Sequence, residues 1–238
     1  MATLARRSYF VTPNETALFL SQAPECQGRV QSMGNGVDAD FFVPNPLRLN
    51  PFEAGEQAVV FTGAMDYWPN IDGVSWFAAD VLPLLRTRWP LARFYIVGRS
   101  PSSQVQALAG AHVVVTGTVP DVRPYLQYAS AVVAPLREAR GVQNKILEAM
   151  AMQQPVVTGS SCADAIGATV GQGLLRADTP AEFVEALKPL LESPYNAAAL
   201  GQQARRYVEQ ECSWQAHLSG IDSCLGSLRA KPHQEVVA

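Results

Sequence analysis

Short apolar runs alternate with amphipathic segments from about residue 57 onward. Ala58–Phe61, Ala92–Val97, Val113–Val115, Ala131–Leu136 and Pro155–Thr158 are rich in valine and nearly free of polar residues. That pattern predicts strands buried on both faces, as in a parallel sheet. The first three runs end in a glycine, at Gly63, Gly98 and Gly117. A glycine after a strand serves a tight strand-to-helix turn or lets a backbone approach a ligand, and either reading fits each position. Between the runs, helices are predicted over Ile71–Trp89, after a cap at Ser102 or Ser103, over Val122–Ala129 behind Asp121, and over Lys145–Met152. A last edge strand is predicted at Leu174–Arg176. Thr179-Pro180-Ala181-Glu182 has the residues of a capping box with proline in the first turn. Helices over 183–192, 196–210 and 214–229 close the chain, and 231–238 reads as a disordered tail. Strands alternating with helices at this spacing predict an α/β fold with a doubly wound parallel sheet.

The first 50 residues follow a different pattern. Tyr9–Thr12 and Val30–Met33 read as short strands around a helix that starts at Pro13. Asn35-Gly36 reads as a turn, and Pro44–Pro51 as a linker by composition. A boundary is predicted near Asn50.

Composition narrows the function. In 238 residues, 48% hydrophobic and 16% charged content describes a globular chain with a large core. The net charge of −3 gives no footprint for a nucleic acid. Cys26, Cys162, Cys212 and Cys224 have no CxxC spacing, and His112, His217 and His233 do not cluster with them. Free thiols in a reducing cytoplasm, and no metal site, are expected.

The chemistry concentrates in Arg140–Gln154. Here a buried strand leads through Gly141 into a helix carrying Lys145 and Glu148. Past the carboxyl end of a parallel strand, the N-terminus of such a helix attracts anions, phosphates above all. Lys145 adds a full charge, and Glu148 could accept hydrogen bonds from a sugar diol. An amphipathic helix with a surface Lys–Glu pair fits the same spacing.

Taken together these segments resemble family 4 glycosyltransferases. Asn35-Gly36-Val37-Asp38 with Phe41 or Phe42 and Pro44 is similar to that family's interdomain motif. Leu147–Ala151 with Pro155-Val156-Val157 is similar to its donor-site helix and the next strand, and Val97-Gly98 and Gly117–Val119 to its nucleobase-side loops. Phe61–Asn70 with Gly141–Lys145 resembles sugar transferases of bacterial exopolysaccharide (PEP-CTERM-associated) loci. The resemblance implies the GT-B fold of two Rossmann-like halves, of which residues 51–230 would be the C-terminal, nucleotide-sugar-binding half. Residues 1–50 would be a remnant of the acceptor-binding half plus the linker.

The resemblance further implies a hexosyltransferase reaction in exopolysaccharide or other cell-surface glycan synthesis, with a nucleotide-diphosphate sugar as donor. Gly63, Arg99, Val119, Asp121, Gly141, Val142, Gln143, Asn144, Lys145 and Glu148 would bind the donor, with Glu148 on the ribose. Two departures bear on catalysis. The first glutamate of the family's pair is replaced by Arg140, and no lysine or arginine follows Gly63 in its loop. Lys145 and Arg140 are therefore the expected catalytic cations, offsetting the charge of the leaving diphosphate without a cofactor or metal. The missing acceptor domain is the expected partner, so the chain alone would bind donor without turnover. A stand-alone nucleotide-sugar-binding module is the alternative. The expected location is cytoplasmic, with peripheral membrane association of a full-length enzyme left open.

Overall fold

The structure is a computed structural model that describes residues 4–138, 141–168, 171–218 and 221. The chain opens with β1 (Ser8–Phe10), α1 (Pro13–Gln22), a 3-10 turn at Pro24–Cys26 and β2 (Val30–Ser32). β1 and β2 pair in parallel as a separate two-stranded sheet. Thr12 caps α1 in a capping box with Glu15, yet the helix has no buried residue.

The main body then follows as β3 (Gln57–Thr62), α2 (Trp68–Trp76), a π-helical turn at Phe77–Val81, α3 (Leu82–Arg88), β4 (Ala92–Val97), α4 (Ser103–Gln106), β5 (Val113–Gly117), α5 (Arg123–Tyr128) and β6 (Ala131–Ala134). After it come α6 (Asn144–Ala151), β7 (Val156–Thr158), α7 (Ser160–Ile166), β8 (Leu174–Arg176), α8 (Pro180–Glu192) and α9 (Pro194–Glu211). The strands form one all-parallel sheet in the order β5-β4-β3-β6-β7-β8. The order reverses between β3 and β6, and ligands of doubly wound sheets bind at the carboxyl ends of the strands flanking such a point.

Alternation along β3 shows why these strands are nearly continuous in hydrophobicity. Val59 and Phe61 enter the large core with Phe77, Phe94 and Met150. Ala58 and Val60 face the other way, against Tyr95 and Val97 under Phe52 and Tyr125. Both faces are covered, so both residue sets are apolar. Residues 38–52 run along the body: Tyr128 donates to the Arg48 carbonyl at 2.5 Å, and Arg205 donates to the carbonyls of Ala39, Phe42 and Ala151 at 3.2, 2.9 and 2.6 Å.

Several expectations need correction. Asn35-Gly36 makes no turn; the turn falls at Asp38–Phe42, where Asp38 accepts from the backbone N–H of Asp40 and Phe41. Gly36 is required by packing instead, because a Cβ there would lie 2.4 Å from the Trp214 ring. The helix expected over 71–89 begins earlier, at Trp68, with Pro69 in its first turn, and passes through the π turn just before Pro83. Proline has no N–H to donate and crowds the preceding turn, which a local widening relieves. Cys26, Cys162 and Cys212 are buried free thiols. Cys224, His233, most of the 214–229 helix and the tail lie outside the described residues. Among the described residues, no helix is long and apolar enough to cross a membrane.

Candidate functional site

A cleft of about 380 Å3 opens at the carboxyl edge of the sheet, at the reversal of strand order. The turn after β3 gives it Gly63 and Ala64, the end of β4 gives Gly98 and Arg99, and the loop after β5 gives Thr118, Val119 and Val122. Lys145 and Glu148, from the first two turns of α6, complete it. A larger cavity of about 500 Å3 lies near the amino ends of the strands, against Gln57, Gln127 and Gln154. No charged side chain lines it.

Lys145 is the most constrained group in the cleft. Its ammonium donates to Asn70 Oδ1 and sits 4.5 Å from the centre of the Phe61 ring. Burial lowers its pKa from 10.5 to about 8, against the opposing pull of Cys162 and Glu148. Asn70 is itself buried, and its Nδ2 donates to the Ala64 carbonyl at 2.8 Å. Gly63 has room for neither neighbour if it gains a side chain: a Cβ would lie 2.9 Å from Asn70 Nδ2 and 3.0 Å from Lys145 Nζ. At Gly98 a Cβ would come within 1.7 Å of the Gly63 carbonyl oxygen. The two strand-end loops can touch only because residue 98 is glycine.

Glu148 is the second half-buried charge. Burial raises its carboxyl pKa, partly offset by the Lys145 charge. No side-chain hydrogen bond or ion pair joins its carboxylate to another described residue. A surface Lys–Glu pair is therefore not what α6 carries: both groups are half-buried, and no ion pair links them.

The other expected donor residues divide. Gly63, Arg99, Val119, Lys145 and Glu148 meet in the cleft; Gly141, Val142, Gln143, Asn144 and Asp121 are not among the residues lining it. Asn144 opens α6, and its Oδ1 accepts from Asn35 Nδ2 at 3.0 Å. Asp121 accepts from the Arg123 backbone N–H at 2.9 Å and pairs with its guanidinium, which holds the carboxyl below its ordinary range. Arg140 lies outside the described residues. Beside the site, Arg137 forms a two-pronged ion pair with Asp72 and so ties the end of β6 to α2. Sequence reading missed Asn70 and Arg137, since both act across long sequence separations.

Comparison with known proteins places this geometry. The family described as glycosyl transferases group 1 matches residues 56–193. The chain belongs to this family. Its fold is that of one half of a GT-B glycosyltransferase. A glycosyltransferase from Rickettsia africae superposes with a TM-score of 0.76 at 13% identity, covering 95% of this chain and 64% of that one. Sucrose-phosphate synthase from Thermosynechococcus elongatus gives 0.71 at 20% identity, covering 93% and 58%. Anabaena Alr3699/HepE in complex with UDP-glucose gives 0.69 at 17% identity, covering 94% and 64%. At these identities the likeness is one of fold, and the chain spans less than two thirds of each of the three. No curated protein matches the chain.

Proposed function

We propose that the cleft binds the nucleoside diphosphate of a nucleotide sugar and that the whole enzyme transfers the sugar to an acceptor. One observation carries this reading: a partly desolvated lysine and a half-buried glutamate with no side-chain partner among the described residues line one cleft at the strand-order reversal of a glycosyltransferase fold. Lys145 is assigned to the diphosphate, where a fixed cation stabilises charge developing on the leaving group. Glu148 is assigned to the ribose hydroxyls, and Arg99 with Val119 to the nucleobase side. Arg140 is assigned as a second cation on the diphosphate, and no metal is needed in this scheme.

The Anabaena relative, solved with UDP and with UDP-glucose, makes UDP the first donor to test. We further read the reaction as hexosyl transfer in bacterial exopolysaccharide or cell-surface glycan synthesis on the cytoplasmic side, supported by the resemblance at Phe61–Asn70 and Gly141–Lys145. The acceptor side is assigned to a second domain. The unit β1–α1–β2 supports this: two three-residue strands and a helix with no buried residue form too small a core to stand unsupported. In this reading the chain alone binds donor and turns over nothing.

The test is a thermal-shift panel of UDP, GDP and ADP with and without their sugars. A ligand at 100 times its Kd adds about 2.7 kcal/mol, which for a domain of this size raises Tm by about 5–10 °C. No shift with any diphosphate at millimolar concentration would refute the assignment.

A further inference from the structure

The first turn of α2 reaches across the sheet's switch point to α6 through one side chain. Asn70 is 3% exposed and spends both ends of its amide. Its Nδ2 holds the Ala64 carbonyl at 2.8 Å, which fixes the amide's orientation and leaves Oδ1 as the acceptor that meets the Lys145 ammonium. The Phe61 ring face takes the ammonium from another side. Gly63, with no Cβ, leaves the space in which Asn70 and Lys145 meet.

We propose that Asn70 is a positioning residue: it holds the Lys145 ammonium at the cleft wall as a neutral acceptor, so that the charge is fixed in place but not cancelled. This rests on the reading of Lys145 as the diphosphate cation and adds what aims that cation. A carboxylate at position 70 would hold the ammonium as firmly and neutralise it. An apolar residue would leave a buried cation without its acceptor. The amide is the choice that fixes the ammonium while its full charge remains for an anion. The other titratable groups around Lys145 are Glu148 on its own helix, Cys162 from α7 and Arg99 across the cleft.

The chain has only three lysines, Lys145, Lys188 and Lys231, so carbon-13 labelled lysine gives a countable spectrum in which Lys145 can be titrated in the ligand-free protein. In Asn70→Asp its titration midpoint should rise, and in Asn70→Ala it should fall, while Lys188 stays put. Calorimetry with UDP should then show an affinity loss of about tenfold or more in both variants. In a Lys145→Met background, Asn70→Ala should change UDP affinity by less than twofold, because nothing remains to be aimed. Should Asn70→Ala fail to fold, Asn70→Ser carries the same test. Unmoved midpoints, or an equal loss of affinity in both backgrounds, would overturn the proposal and leave Asn70 as a brace for the Ala64 carbonyl. A wild-type protein that ignored UDP while the midpoints moved as stated would instead overturn the donor-site reading.

Discussion

Replacing Lys145 by methionine should make the ligand-free protein no less stable at pH 7, and the pH dependence of that effect can be worked from the structure. Burial brings Lys145 from 10.5 to about 8. At about 1.4 kcal/mol per pH unit, holding the charged form in the fold costs about 3 kcal/mol. The sign follows from proton counts. Below pH 8 both folded and unfolded states hold the proton, and the penalty is present in full. Between about pH 8 and 10.5 the unfolded state binds more protons than the folded one, so stability rises with pH as the penalty is relieved. Methionine removes the penalty but strips Asn70 Oδ1 of its donor, which costs about 1–3 kcal/mol. The net change at pH 7 is therefore a gain of about 0–2 kcal/mol for Lys145→Met. Urea denaturation of both proteins from pH 7 to 9.5 isolates the lysine, since every other titrating group is common to the two. The wild type should gain on the variant by about 2 kcal/mol over that range. A difference that stays flat with pH, or a variant several kcal/mol less stable at pH 7, would show that Lys145 is an ordinary stabilising residue. The argument from desolvation would then fail.

Other outcomes can be stated more briefly. Glu148→Gln should raise the urea midpoint, because a partly desolvated carboxylate is removed, and should lower UDP affinity about tenfold by calorimetry. Gly98→Ala forces a Cβ to 1.7 Å from the Gly63 oxygen, so it should lose more than about 2 kcal/mol by denaturant unfolding or fail to fold. Arg205→Ala leaves three carbonyls without their donor and should cost about 3 kcal/mol by the same measure, while UDP affinity at saturating folded fraction changes little. UDP affinity should fall with added salt, and the salt dependence should weaken in Lys145→Met.

What could be read from the sequence was what depends on neighbours along the chain. β3, β4 and β6 stood out because strands covered on both faces cannot alternate with polar residues. Thr179 and Ser102 announced their caps, and both accept the expected backbone N–H, from Glu182 and Val105 at 3.3 Å each. The three strand-end glycines show where this stops. They occupy one sequence pattern for three separate reasons: Gly63 leaves space for Asn70 and Lys145, Gly98 lets two loops touch, and Gly117 adopts a φ of +67° with nothing crowding its missing Cβ. Local sequence cannot separate these cases, since the first two depend on atoms brought in by the fold. Gly36 failed for the same reason: a turn and a tryptophan packed on a bare backbone look alike until Trp214 is in place. Five of the expected donor residues meet in the cleft because strand ends and one helix start are local features. Asn70, 75 positions from its partner, has no local trace of that contact.

The relation between Lys145 and Glu148 bears most directly on what the cleft can do. Three positions apart on a helix, a lysine and a glutamate at the surface would pair and contribute a few tenths of a kcal/mol. Here both are half-buried and do not pair. Lys145 is drawn to Asn70 and the Phe61 ring, and the Glu148 carboxylate has no hydrogen-bond partner among the described residues. Each is destabilising to the folded, empty protein, and a direct ion pair would have relieved both penalties at once. A core of valine, leucine and phenylalanine on both faces of the sheet can tolerate that cost. In the proposed donor-site reading the arrangement is favoured when a ligand brings negative charge to the lysine and hydroxyl donors to the glutamate. A nucleoside diphosphate presents both, with the phosphates and the ribose diol on one rigidly connected molecule.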